Sequence, residues 1–181
     1  KNLYISTFIP IANLVGLYKK LDFQIFEMNY RAVFSYKLKI IRKNNFLIEK
    51  INKNNLTQED YKIYKDHQNV EIENILFQDK EDPEKKCLII GRKIFKKKII
   101  PFFNLIYVSN REIFKQHRDE ILNTLKKKYK ILFFGEYYIN PQESYLDKLN
   151  FIQLIKKNVI CFKNKKDKYL FDCLYSELLI N

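Results

Sequence analysis

Glycine, proline, methionine and tryptophan are nearly missing from this sequence, at 3, 4, 1 and 0 of 181 residues. No Walker loop appears, and neither a nucleophile elbow nor a zinc-ligand spacing is present. Arginine is confined to Arg31, Arg42, Arg92, Arg111 and Arg118, and every other cation is Lys. Proteins that read nucleic acid tend to use Arg for bidentate contacts and stacking, so the basic balance is discounted as a nucleic-acid signal. Cysteine is sparse and odd in number: Cys87, Cys161 and Cys173 each lie in an apolar run. With no close pair, they read as buried reduced thiols of a cytoplasmic protein. No uninterrupted apolar segment approaches the ~20 residues of a membrane span. Polar residues break the first apolar run, so the start does not read as a signal peptide. The chain opens on Lys1 rather than Met, so an upstream piece is expected.

What is plentiful is Lys, Ile, Asn, Phe and Tyr, the residues that A/T-rich codons supply. The formal net charge is +13, and 46% of residues are hydrophobic, enough for a real core. The length fits one domain, or one and a part.

The strongest pattern runs from Asn104 to Phe134. Asn104-Leu105-Ile106-Tyr107-Val108 has strand length and composition. Ser109-Asn110-Arg111-Glu112 has the Ser-x-x-Glu spacing of a capping box. Ile113, Phe114, His117, Ile121, Leu122 and Leu125 then recur at helical spacing over 110–128. Lys126, Lys127 and Lys128 suit the negative end of that helix. Lys130 to Phe134 is a second strand, and a right-handed crossover would make the two strands parallel. The helix start is a natural seat for an anion.

Elsewhere, Leu3 to Phe8 reads as a strand and Pro10 as a helix start. Ile11, Leu14, Val15, Tyr18 and Leu21 form one helical stripe. Alternation from Phe26 to Tyr36 predicts a long strand, and Phe23 and Ile25, out of phase, call for a bulge between Ile25 and Phe26. Residues 37–55 are a junction holding a short strand from Phe46 to Ile51. Thr57 to Asp60 opens a helix towards His67, and Gln78 to Lys86 is a loop. Cys87 to Phe95 and Ile99 to Val108 form a hairpin over Lys96-Lys97-Lys98. Gly135 to Asn140 turns, Tyr145 to Leu149 is a short helix, and Asn158 to Phe162 pairs with Tyr169 to Tyr175. The expected fold class is α/β (α+β), a mixed, partly antiparallel sheet with one β-α-β crossover.

Among titratable groups, His117 reads as a core histidine and His67 as a residue favoured near a helix end. Glu136 follows a strand and Gly135, at the strand edge where sites on open sheets lie, and is a candidate general base. Glu71 and Glu73 have no metal partner nearby in sequence.

Ile11 to Phe23, with Leu17-Tyr18-Lys19-Lys20-Leu21 and Phe23, resembles the last motif of the GNAT (GCN5-related) acyl-CoA N-acyltransferases. Hairpin 87–108, helix 110–128 and strand 130–134 resemble that family's central meander, acyl-CoA helix and fifth strand. The resemblance implies a tail of a first GNAT-like half in residues 1–45 and a second, glycine-poor half in 46–181. It implies transfer of an acyl group from acetyl-CoA or another acyl-CoA to a small amine or amino sugar, without metal. Tyr18 matches the family's general acid, and a phenol near pKa ~10 suits that role. Asn13, Ser109, Asn110 and Arg111 are the candidate acyl-CoA contacts, although the family's contacting asparagine position falls on Ile11 here. The family's glycine-rich phosphate loop is replaced by Ser109 to Phe114, which holds no Gly. The partners implied are the amine acceptor and the missing upstream half. A non-catalytic structural half and a basic nucleic-acid-binding module are the competing readings.

Overall fold

Long apolar runs form the middle of the sheet, because a strand covered on both faces needs no polar alternation. β5 (Lys86–Lys96) and β6 (Ile100–Val108) are such runs. A computed structural model describes residues 5–9, 12–21, 24–39, 45–68, 71–138, 142, 144–146 and 154–163. In it Leu88, Ile89 and Ile90 have no exposed surface. The remaining strands are β1 (Ile5–Ile9), β2 (Gln24–Phe34), β3 (Phe46–Glu49), β4 (Ile72–Asp79), β7 (Phe133–Tyr138) and β8 (Leu154–Lys163). All eight join one sheet in the order β1-β8-β2-β7-β6-β5-β4-β3. Every pairing is antiparallel except β6 with β7. The mixed α+β class and the expected crossover are both present.

Among the described residues the α-helices are α1 (Ala12–Lys20), α2 (Gln58–Asp66), α3 (Arg111–Gln116) and α4 (Arg118–Tyr129). Phe114, Ile121, Leu122 and Leu125 pack on Ile75, Phe77, Ile89, Phe103, Leu105 and Phe134 on one face. On the other face Ile63 and Tyr64 of α2 lie against Leu76, Leu88, Ile90 and Ile106. Cys87 belongs to the first cluster as a free thiol, and burial pushes its pKa up to about 12. Cys161 lies in β8 and Cys173 outside the described residues.

Several expectations need correction. The helix foreseen over 110–128 is two helices broken at His117. The acids Asp119 and Glu120 favour a fresh helix start there. Glu120 also accepts the backbone amides of Asn45 and Phe46, and His117 sits 4.8 Å from the Phe46 ring. Helix α3 is capped by Asn110, whose side chain accepts from the Ile113 amide at 3.0 Å. Ser109, expected in that role, instead accepts the Leu88 amide at 2.9 Å and ties off β5. β7 starts at Phe133, after a left-handed Lys130, and runs straight through the turn expected from Gly135. β4 lies where the sequence pattern predicts no strand, and its last two residues fall in the loop expected from Gln78. The bulge expected in β2 is absent, since Gln24 to Ala32 pair with β8 in unbroken register. The Asn158–Phe162 strand exists within β8, paired with β1 and β2; its foreseen partner at 169–175 lies outside the described residues. The helix foreseen at 145–149 falls partly outside them too.

Candidate functional site

Strands β6 and β7 pair in parallel from Phe102–Phe133 to Leu105–Glu136, and then their ladder ends. Beyond it β6 stays with β5 and β7 stays with β2, so the two strands part. A bulge adds to the opening. Ile90 faces Tyr107 and Gly91 faces Leu105, which leaves Ile106 with no opposite residue on β5. A bulge re-aims the residues after it, and bulges gather beside binding sites. Just before the ladder ends the packing is close. A side chain at Gly135 would run into Asn104 Oδ1 and the Tyr30 hydroxyl, which themselves bond at 3.0 Å.

Beside this parting lies a cleft of ≈380 Å³ lined by Glu59 and Ile63 of α2, Tyr107, Val108, Ser109, Asn110, Arg111, Glu112 and Tyr145. Tyr107 donates to Asp60 Oδ1 at 2.8 Å and so fixes the start of α2 against β6. Asp60 is further set by Thr57, which caps α2 and accepts the Asp60 amide at 3.1 Å. Burial first, and the Asp60 carboxylate second, hold the Tyr107 phenol far above its ordinary pKa. It therefore stays a neutral donor. Arg111 is exposed at the mouth, with its guanidinium 4.9 Å from the Tyr145 ring centre.

Glu136 has no exposed surface. Its carboxylate accepts the Ser144 hydroxyl, the Tyr145 amide at 2.6 Å and the Leu146 amide at 3.1 Å. Arg31 lies 4.0 Å from it, donates to Ser144 Oγ at 2.8 Å, and stacks on Tyr138 at 4.9 Å. Burial raises the Glu136 pKa, while Ser144, the two amides and Arg31 pull it down. Three donors and a cation around one carboxylate make an anchor. It pins residues 144–146 to β7 and thereby sets Tyr145 in the cleft wall.

The candidate residues fall in two places. Ser109, Asn110 and Arg111 line the cleft, and Glu136 holds its wall from behind. Tyr18 and Asn13 are on α1, between β1 and β2. Tyr18 is half-buried, and its neighbours Leu17 and Leu21 are exposed. β8 and β2 separate β1 from β7, a lateral distance of ~14 Å at usual strand spacing. His67 caps α2, its Nδ1 2.8 Å from the Ile63 carbonyl. Glu71 pairs with Arg92, and Glu73 accepts the Tyr129 hydroxyl at 2.8 Å. Sequence reasoning missed Tyr107, Glu59 and Tyr145 as cleft residues. Tyr107 was open to discovery as a polar-tipped residue at the C-terminal end of a crossover strand; Tyr145 carried no such signal.

No family model matches the chain, and no curated protein does. Solved structures do resemble it. A functionally unknown conserved protein from Staphylococcus epidermidis ATCC 12228 superposes with TM-score 0.58 at 14% identity, over 90% of this chain and 73% of that one. A GCN5-related N-acetyltransferase from Anabaena variabilis ATCC 29413 gives 0.55 at 9% identity, over 88% and 45%. A conserved protein of unknown function from Enterococcus faecalis V583, described as a probable N-acyltransferase, gives 0.51 at 7% identity, over 87% and 44%. The chain thus has a GNAT-like fold, and it spans less than half the length of the latter two proteins. No helix among the described residues is long and apolar enough to cross a membrane.

Proposed function

We propose that the chain is part of an acyl-CoA-dependent N-acyltransferase-like protein acting on a small amine or amino sugar. The observation that carries this reading is the parting of β6 and β7 above Leu105 and Glu136, with a bulge at Ile106 and an open cleft beside it. Strand ends that have lost their partners keep free amide and carbonyl groups, and an extended acyl-pantetheine arm can pair with them as an added strand does. Arg111 is the cation at the mouth for a phosphate, and Asn110 and Ser109 supply the polar wall. Glu59 and Glu112 bring negative charge to the same mouth, which suits a protonated amine better than a diphosphate.

In the reaction the amine gives up a proton, its nitrogen attacks the thioester carbonyl, the C–N bond forms and the C–S bond breaks. The departing thiolate then takes a proton from water in the open cleft. Glu59 and Glu112 are the cleft carboxylates available to the amine proton. Glu136 acts as a positioning residue through Tyr145, because its oxygens are already engaged. Asn13 and the proposed acid Tyr18 are read as belonging to a separate cleft of a first half, of which residues 1–45 are the tail and 46–181 the second half.

Heating the chain with acetyl-CoA or longer acyl-CoAs tests this. A specific donor at a hundred times its dissociation constant stabilises the fold by ~2.7 kcal/mol. No shift in melting temperature with any of them overturns the reading. It would favour the second one, a non-catalytic GNAT-like half. The Asn110 cap and the glycine-free loop support that alternative, since the cap already uses the side chain nearest the helix start.

A further inference from the structure

The opposite end of the sheet carries a different chemistry. Strand β5 runs past the first residue of β4, which pairs with Arg92, so Lys93–Lys96 and the start of β6 project ~13 Å beyond it. The projecting hairpin ends in a turn in which Ile99 donates to the Lys96 carbonyl at 3.3 Å. Both central residues, Lys97 and Lys98, are left-handed, with φ of 51° and 64°. Hairpin turns of that hand favour Asn-Gly, since any side chain there is strained. Here two lysines occupy it. Phe95 and Ile99 flank them at 56% and 77% exposure. Lys96 turns inward, its ammonium 4.4 Å from the Tyr30 and Phe102 ring centres, and braces the hairpin.

Helix α4 delivers more cations to the same end. Lys127, Lys128 and Lys130 are exposed in its last turn and cap. The chain beyond them is tied to the hairpin base by the Leu132 amide donating to the Pro101 carbonyl at 3.0 Å. Tyr36, 67% exposed, adjoins it, with the Lys126 ammonium 4.0 Å over its ring. Residues 35–39, 93–101 and 126–132 contain no Asp or Glu. The carboxylates bordering this end are engaged, Glu71 by Arg92 and Glu73 by the Tyr129 hydroxyl, and the lysines are left in excess.

We propose that this end is a docking surface for an anionic lipid bilayer, with Phe95 and Ile99 entering the interface and the lysines facing phosphates. Exposed phenylalanine and isoleucine at a projecting tip gain by burial among acyl chains. Each nearby lysine adds attraction to anionic headgroups. Nucleic acid fits less well. Its phosphates would leave the two apolar side chains in water, and the cations named at this end are lysines rather than the arginines that read bases.

Sedimentation of the full chain with vesicles tests the docking. One set is an equal mixture of phosphatidylglycerol and phosphatidylcholine, the other phosphatidylcholine alone. The chain is expected to bind the first set and not the second. Lys97→Asn with Lys98→Gly removes both charges while suiting the turn, and should weaken binding roughly thirtyfold. Phe95→Ser with Ile99→Ser should weaken it by about tenfold or more. Lys50→Ser with Lys53→Ser, two exposed lysines beside β3, should change nothing. Failure of the chain to sediment with anionic vesicles overturns the proposal. So does equal loss from either lysine pair. So does full binding by the Phe95 and Ile99 variant together with polyuridylate competing for the protein, which would mark a phosphate-seeking surface instead. If the Phe95 and Ile99 variant does not fold, the turn variant decides alone against the β3 pair.

Discussion

The two ends of the central sheet are built from the same strands and do opposite things. At the C-terminal ends of β6 and β7 the strands diverge, a bulge opens the backbone, and the charged groups are mostly carboxylates: Glu59, Asp60, Glu112 and Glu136. At their N-terminal ends the strands are tightly paired, Phe102 stacks on Phe133 at 4.8 Å, and the exposed charges are lysines. One end is concave and held by buried polar bonds. The other projects and is held chiefly by apolar packing, with the Ser35 hydroxyl bonded to the Ile131 carbonyl at 2.7 Å beneath it. Loss of one bond should therefore be felt far more at the cleft than at the hairpin.

That contrast can be broken at Glu136. Glu136→Leu leaves the Ser144 hydroxyl, two amides and Arg31 without their acceptor. It should cost about 4 kcal/mol, read as a lower denaturant midpoint with an unchanged slope. A loss under about 1 kcal/mol would show that the anchor at the cleft is dispensable. Alkaline titration gives a smaller effect. The Tyr107 phenol keeps its proton in the fold well past the pH at which an unfolded tyrosine releases it. The native state thus binds more protons above about pH 10, and stability falls as pH rises through that range. Tyr107→Phe should flatten the fall measured by melting temperature against pH; an unchanged slope would place the titration elsewhere, for instance at Tyr129 with Glu73. The smallest effect is a gain. Lys97→Asn with Lys98→Gly relieves two left-handed side chains and should stabilise the hairpin by ~1 kcal/mol in thermal melts. If it destabilises instead, the lysines hold the turn themselves.

Much of the fold was legible because local pattern and tertiary role agreed. Helix α1, the hairpin of β5 and β6, and the parallel β6 and β7 follow from apolar period and capping chemistry. The misses are places where a distant partner decides. The break at His117 depends on Glu120 turning to the amides of Asn45 and Phe46, seventy-odd residues away. The bulge lies in β6 rather than β2, because only the register against β5 and β7 determines where a residue is left over. β4 reads Ile-Glu-Asn-Ile-Leu-Phe-Gln-Asp, whose early polar residues mask a strand that burial on both faces later supports. The cleft was legible only along the chain, at Ser109, Asn110 and Arg111. Tyr145 arrives there through Glu136, a contact that no local spacing encodes.

The position of β8 sets an order of events on the ribosome. β1 and β2 run parallel, joined by α1, and β8 is the rung between them. Synthesis delivers β8, which starts at Leu154, long after β2, which ends at Phe34. Translation proceeds at ~5–20 residues per second, so the amino-terminal strands wait for seconds with a gap where their shared neighbour belongs. Closing that gap is a late, long-range step, and a nascent chain stalled before it would be a natural client for a chaperone.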